Sequence, residues 1–100
     1  MKIVIYLRDL DTSPCRMIVE AQREVDFDSL DPAANPTDHY TEQGAFEDFV
    51  QCTRAVLPVK EQNVDVYIGW WGDQATFLVP LEFFQLITET KWPVSFNIND

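Results

Sequence analysis

A chain of 100 residues, 46% hydrophobic and 13% aromatic, is long enough to bury one core without disulfide or metal staples, and it reads as a single α+β domain over 1–100. Its longest apolar runs, IVIYL and FLVPLEFF, fall far short of the roughly 20 residues that a spanning helix needs, and no signal-peptide pattern is seen, so a cytoplasmic protein is expected. Seventeen acids against seven Lys and Arg give a net charge of −10, which disfavours direct binding to nucleic acid or to an anionic membrane and favours a basic partner.

The first element is KIVIYLRD, Lys2 to Asp9, rich in β-branched and aromatic residues and closed by the turn-forming LDTSP. It reads as a strand with Tyr6 and Arg8 on its open face. Two periods compete from Cys15 to Phe27. Helical spacing would align Met17, Ile18, Ala21 and Val25 behind Ser13 and Pro14. Alternation does better, with Cys15, Met17, Val19, Ala21, Val25 and Phe27 apolar against Arg16, Glu20, Gln22, Glu24 and Asp26, and only Ile18 and Arg23 out of step. A long second strand, hairpinned to the first, is expected.

Residues 28–43, DSLDPAANPTDHYTEQ, carry two prolines and a cluster of Asp, Asn and Thr, the composition of a long connection. The acids concentrate around it: Glu20, Glu24, Asp26, Asp28, Asp31, Asp38, Glu42, Glu47 and Asp48 face Arg23 alone, a local charge near −8. Such a field can serve solubility, or it can draw in a basic partner and speed the encounter.

From about Gly44 the period becomes 3.6. Phe46, Phe49, Val50, Thr53, Val56 and Leu57 form one stripe, opposite Glu47, Asp48, Gln51 and Arg54, until Pro58 ends the helix. NVDVYIGWW then alternates Val64, Val66, Ile68 and Trp70 against Asp65, Tyr67, Gly69 and Trp71. Gly72-Asp73 leads as a tight turn into a fourth strand, QATFLV, residues 74–79. PLEFFQLITETK reads as a second helix with Phe83, Phe84 and Ile87 inward, and Val94 to Asn99 as a closing strand.

The order ββαββαβ makes a two-layer sandwich, a mostly antiparallel five-stranded sheet with two helices on one face. The other face is left to solvent. It should carry Tyr6, Arg8, Arg16, Glu20, Gln22, Glu24, Asp26, Asp65, Tyr67, Trp71, Thr76, Leu78, Ser95, Asn97 and Asn99. Aromatics set among carboxylates are the composition of a recognition surface, and Trp and Tyr are favoured anchors there. The competing reading is that residues 28–43 fold over this face.

Catalytic and metal chemistry find little footing. His39 is the single histidine, beside Asp38 and at no telling distance from Cys15 or Cys52. The acids of DFDSLDPAANPTD lack the glycine of an EF-hand loop, and three glycines make no phosphate cradle. No enzyme, cofactor or metal is expected. Cys15 and Cys52 read as two buried reduced thiols, a disulfide being left open because the sequence does not set their separation.

The stretch ATFLVPLEFFQLITETKWPVSFNIND, about a quarter of the chain, resembles the end of small α+β immunity-type proteins found beside bacterial toxin genes. The resemblance implies a cytoplasmic inhibitor that binds a cognate toxin, often a basic nuclease. The expected function is thus protein binding, with Glu20, Glu24, Asp26, Asp28, Asp31, Asp65, Tyr67 and Trp71 as partner-binding residues on a monomer. An alternative is a phage or mobile-element anti-defence protein that mimics nucleic acid, since carboxylates at i and i+2 on a strand, as at Glu24, Asp26 and Asp28, stand about 6.6 to 6.8 Å apart. A third, a small-ligand or enzymatic domain around His39, would require tight ion or metabolite binding.

Overall fold

A computed structural model describes residues 2–24, 41–72 and 78–99. These residues form strands β1 (Lys2–Asp9) and β2 (Arg16–Glu24), helix α1 (Thr41–Val56), strand β3 (Val64–Trp71), helix α2 (Leu81–Thr90) and strand β4 (Val94–Asn99). The sheet order is β2-β1-β3-β4. β1 is antiparallel to both of its neighbours, and β4 runs parallel to β3.

The α+β class and two-layer arrangement follow the sequence reading, while the sheet differs in detail. Among the described residues it has four strands, not five, and it is mixed. Of the expected fourth strand, 74–77 lie outside the described residues, and Leu78 and Val79 are not in a strand. The parallel pair has a topological cause: α2 stands between β3 and β4 in the chain, and a helical crossover returns the chain in the same direction.

The core lies on one side of the sheet. Ile3, Ile5 and Leu7 of β1 stand opposite Trp70, Ile68 and Val66 of β3, and opposite residues share a face. Val19 and Ala21 extend that face on β2. Both helices close over it, α1 with Ala45, Phe46, Phe49 and Val50 and α2 with Phe83 and Leu86. Phe83 meets the edge of Phe46 at a centroid distance of 4.9 Å, which ties the helices together within the same core.

Several local features differ from expectation. Ile18, the residue out of step in the second strand, sits at a register shift: Leu7 pairs with Val19 and Arg8 with Met17. One extra residue reverses the facing of everything before it. Met17 therefore stands opposite Arg8 on the open face and Arg16 opposite Asp9, the reverse of the simple alternation. Helix α1 begins at Thr41, inside the segment read as loop, and Val56 at its end is exposed.

In α2 the inward positions are Phe83 and Leu86, with Ile87 partly buried, whereas Phe84 points outward. Phe83, Leu86 and Ile87 follow the i, i+3, i+4 spacing of a single helical face, and Phe84 falls off that face. Cys15 and Cys52 are free thiols as expected, but Cys15 is half-buried and Cys52 exposed. Cys52 falls beside the buried stripe of Phe49 and Thr53, one position short of it. No helix among the described residues is long and apolar enough to cross a membrane.

Candidate functional site: the open sheet face

Alternation in β1 and β3 places Lys2, Val4, Tyr6 and Arg8 opposite Trp71, Gly69, Tyr67 and Asp65 on the face away from the helices. β2 flanks this block with Glu24, Gln22 and Glu20, and β4 flanks it with Ser95, Asn97 and Asn99. The centre is aromatic. Tyr6 and Tyr67 stack with centroids 6.1 Å apart and planes 12° from parallel.

Polar contacts fix these rings. Arg8 donates from Nε to Asp65 Oδ1 at 2.8 Å and from Nη2 to Oδ2 at 2.5 Å, while its guanidinium lies 4.7 Å from the Tyr67 ring centroid. The charge-assisted fork is therefore also a cation–π contact. Ser95 Oγ donates to Asp65 Oδ2 at 3.3 Å, and Asn97 Nδ2 donates to the Tyr67 hydroxyl at 2.9 Å. Every strand but β2 thus helps to hold Tyr67.

Trp71 is positioned by what is missing beneath it. A Cβ on Gly69 would fall 2.9 Å from Val4 Cγ2 and 3.0 Å from Trp71 Cη2 and Cζ3, so the indole and Val4 occupy the space that a side chain would take. Val4 is buried there, and Lys2 Nζ lies 5.5 Å from the indole centroid. Trp71 keeps 37% of its surface exposed, while its neighbour Trp70 is 1% exposed in the core.

The electrostatics follow from these contacts. The hydrogen bond to Asp65 raises the Arg8 pKa against the opposing effect of burial, so this cation stays charged. Burial, then the charge of Glu20 and the neighbouring Tyr67, hold the Tyr6 phenol above its ordinary range. Glu20 and Glu24 are exposed.

Of the expected partner-binding residues, Glu20, Glu24, Asp65, Tyr67 and Trp71 come together on one face. Asp65 is not a presented carboxylate: it is 8% exposed and held by Arg8. Asp26, Asp28, Asp31 and His39 lie outside the described residues. Spacing alone missed Gly69, whose role depends on Trp71 two positions on, and Lys2, whose place becomes legible only once Trp71 is paired with it. A separate acidic groove between the helices is lined by Glu47, Asp48, Gln51 and Glu82. Among the described residues no group of three or more His, Cys, Asp or Glu could hold a metal ion.

No protein-family model, curated protein or solved structure matches this chain.

Proposed function

We propose that this protein is a non-enzymatic, protein-binding inhibitor of the immunity or antitoxin kind, which neutralises a basic partner such as a nuclease toxin. The observation that carries this reading is the open face itself: Tyr6, Tyr67 and Trp71 are fixed in place by Arg8, Asn97, Lys2 and Gly69 and left uncovered by both helices. Rings that are already ordered lose little conformational entropy on binding, and half-exposed aromatics supply anchoring area when desolvated.

Charge supports the same reading. The chain carries −10 overall, and exposed Glu20 and Glu24 border the aromatic centre. A basic nuclease presents the Lys and Arg that would otherwise grip phosphates, and carboxylates complement them. Binding is cytoplasmic and by a monomer, with no cofactor. The test is co-expression with the product of a toxin gene adjacent to this one, scored by growth. Wild type should protect, and Trp71→Ala should protect less at equal protein level. Equal protection by Trp71→Ala and by a Glu20→Gln/Glu24→Gln pair would remove this face from the function.

A further inference from the structure

We infer that Tyr6 and Glu20 form a subsite for an arginine side chain of the basic partner; this rests on the inhibitor reading above and specifies its chemistry. The argument begins with what the chain does with its own cations. All four of its arginines are engaged: Arg8 with Asp65, Arg16 with Glu61, Arg23 with Asp48 and Arg54 with Glu89. None is left to compete for the carboxylates of the open face.

One of those arginines shows how this face binds a guanidinium. Arg8 sits against the Tyr67 ring at 4.7 Å while Asp65 grips it in a two-bond fork. Ring and carboxylate together satisfy both the flat face and the edge of the planar cation, a geometry that an ammonium matches poorly.

The same two components recur one strand over without a cation. Tyr6 is stacked on Tyr67, and its register partner across the β1–β2 ladder is Glu20, close enough for its charge to raise the Tyr6 pKa. Among the described residues no cation lies over the Tyr6 ring, and Glu20 forms no ion pair. Tyr6 and Glu20, facing each other across two strands where Asp65 and Tyr67 stand two apart on one, offer the same ring and carboxylate with the guanidinium to be supplied from outside.

A sheet face with aromatics on its two central strands also suits stacked bases of a single-stranded nucleic acid. Charge decides against it here. Arg8 is neutralised by Asp65, which leaves Lys2, beside the Trp71 ring, as a single cation against the bordering carboxylates of Glu20 and Glu24.

The experiment is titration of the full chain at low ionic strength with a hexa-arginine peptide, a hexa-lysine peptide and a short oligothymidine. The arginine peptide should bind at least about fivefold more tightly than the lysine peptide, as a fork-and-stack site requires. Glu20→Gln should weaken it by about fivefold, while Glu82→Gln, the same charge change on α2, should weaken it by less than about twofold. Tyr6→Leu should abolish the preference for arginine over lysine; should that variant fold poorly, the exposed Glu20→Gln still decides the matter. Equal losses from Glu20→Gln and Glu82→Gln would mean bulk charge alone and would overturn the subsite. So would equal affinity for the two peptides, or oligothymidine binding that depends on Tyr6. The two readings separate cleanly: toxin protection lost in Trp71→Ala but intact in Glu20→Gln and Tyr6→Leu rejects the subsite alone, whereas arginine-selective binding without protection rejects the inhibitor alone.

Discussion

The indole of Trp71 occupies the space above Gly69, so that a Cβ at residue 69 would stand 3.0 Å from Trp71 Cη2 and 2.9 Å from Val4 Cγ2. Gly69→Ala must therefore push Val4 down or lift Trp71 off the sheet. Overpacking of this kind costs about 1 to 3 kcal/mol. Urea unfolding should show that loss, and the indole, once lifted, should emit further to the red. The contrasting site is Gly44 within α1, where a Cβ would meet Arg23 Cζ at an ordinary 3.5 Å. Gly44→Ala should stabilise by about 0.5 to 1 kcal/mol, since glycine in a helix interior carries the larger entropy loss on folding.

Asp65→Asn should destabilise the protein without freeing a binding carboxylate. Asp65 and Arg8 have side-chain exposures of 11% and 25%, so the loss should be about 1 to 3 kcal/mol, below that for a wholly buried pair because water still reaches Arg8. The variant should also loosen Tyr67, which rests against the Arg8 guanidinium. Thermal melts report the first effect, and broadening of the Tyr67 ring resonances reports the second.

Asp65 also shows where sequence reading stops. Its outward register was legible from the alternation of Val64, Val66, Ile68 and Trp70, yet its partner Arg8 lies 57 positions away. No local pattern reveals that the register across β1 and β3 brings them opposite. The open-face block of Tyr6, Tyr67 and Trp71 was readable because each strand is apolar on alternate residues and the core had to take one parity. Ile18 was visible as a misfit, but only pairing shows that the misfit is a shift that turns Met17 outward and Arg16 the other way. The order of strands was less legible still, since a parallel β3–β4 pair depends on where α2 carries the chain. At Phe84 the sequence offers two adjacent phenylalanines to the core, but one helical face takes only Phe83 with Leu86.

Alkaline titration should find Tyr6 above the ordinary phenol range. Its folded pKa lies above the ordinary 10.0, through burial first and then the charges of Glu20 and Tyr67. A raised value means that folding favours the protonated phenol. Its contribution to stability is thus fully present below about pH 10 and is lost as pH climbs through the folded pKa. Glu20→Gln removes one of the causes, so the Tyr6 titration should move down towards the ordinary value, read by the ring shifts of Tyr6 in NMR. An unmoved Tyr6 titration in that variant would place Glu20 too far away to act on the ring.

The adjacent tryptophans should separate stability from binding. Trp70 is 1% exposed among Ile3, Ile68 and the helix side chains, so Trp70→Ala should cost about 3 to 5 kcal/mol, as truncation of a buried aromatic does. Trp71 is 37% exposed on the other face, and Trp71→Ala should cost about 1 to 2 kcal/mol, mainly by uncovering Val4. Its larger effect should fall on the complex, as faster dissociation from the partner with association little changed, because a rigid aromatic anchor holds the bound state more than it guides the encounter. Glu20→Gln and Glu24→Gln should show the converse, slower association and a weaker dependence on salt. Denaturation curves for the four variants, set beside their association and dissociation rates, test both halves at once. Should Trp71→Ala prove the more destabilising of the two tryptophan variants, the indole would be a structural lid over Val4 and not an anchor, and the recognition face would contract to the tyrosine pair and Glu20.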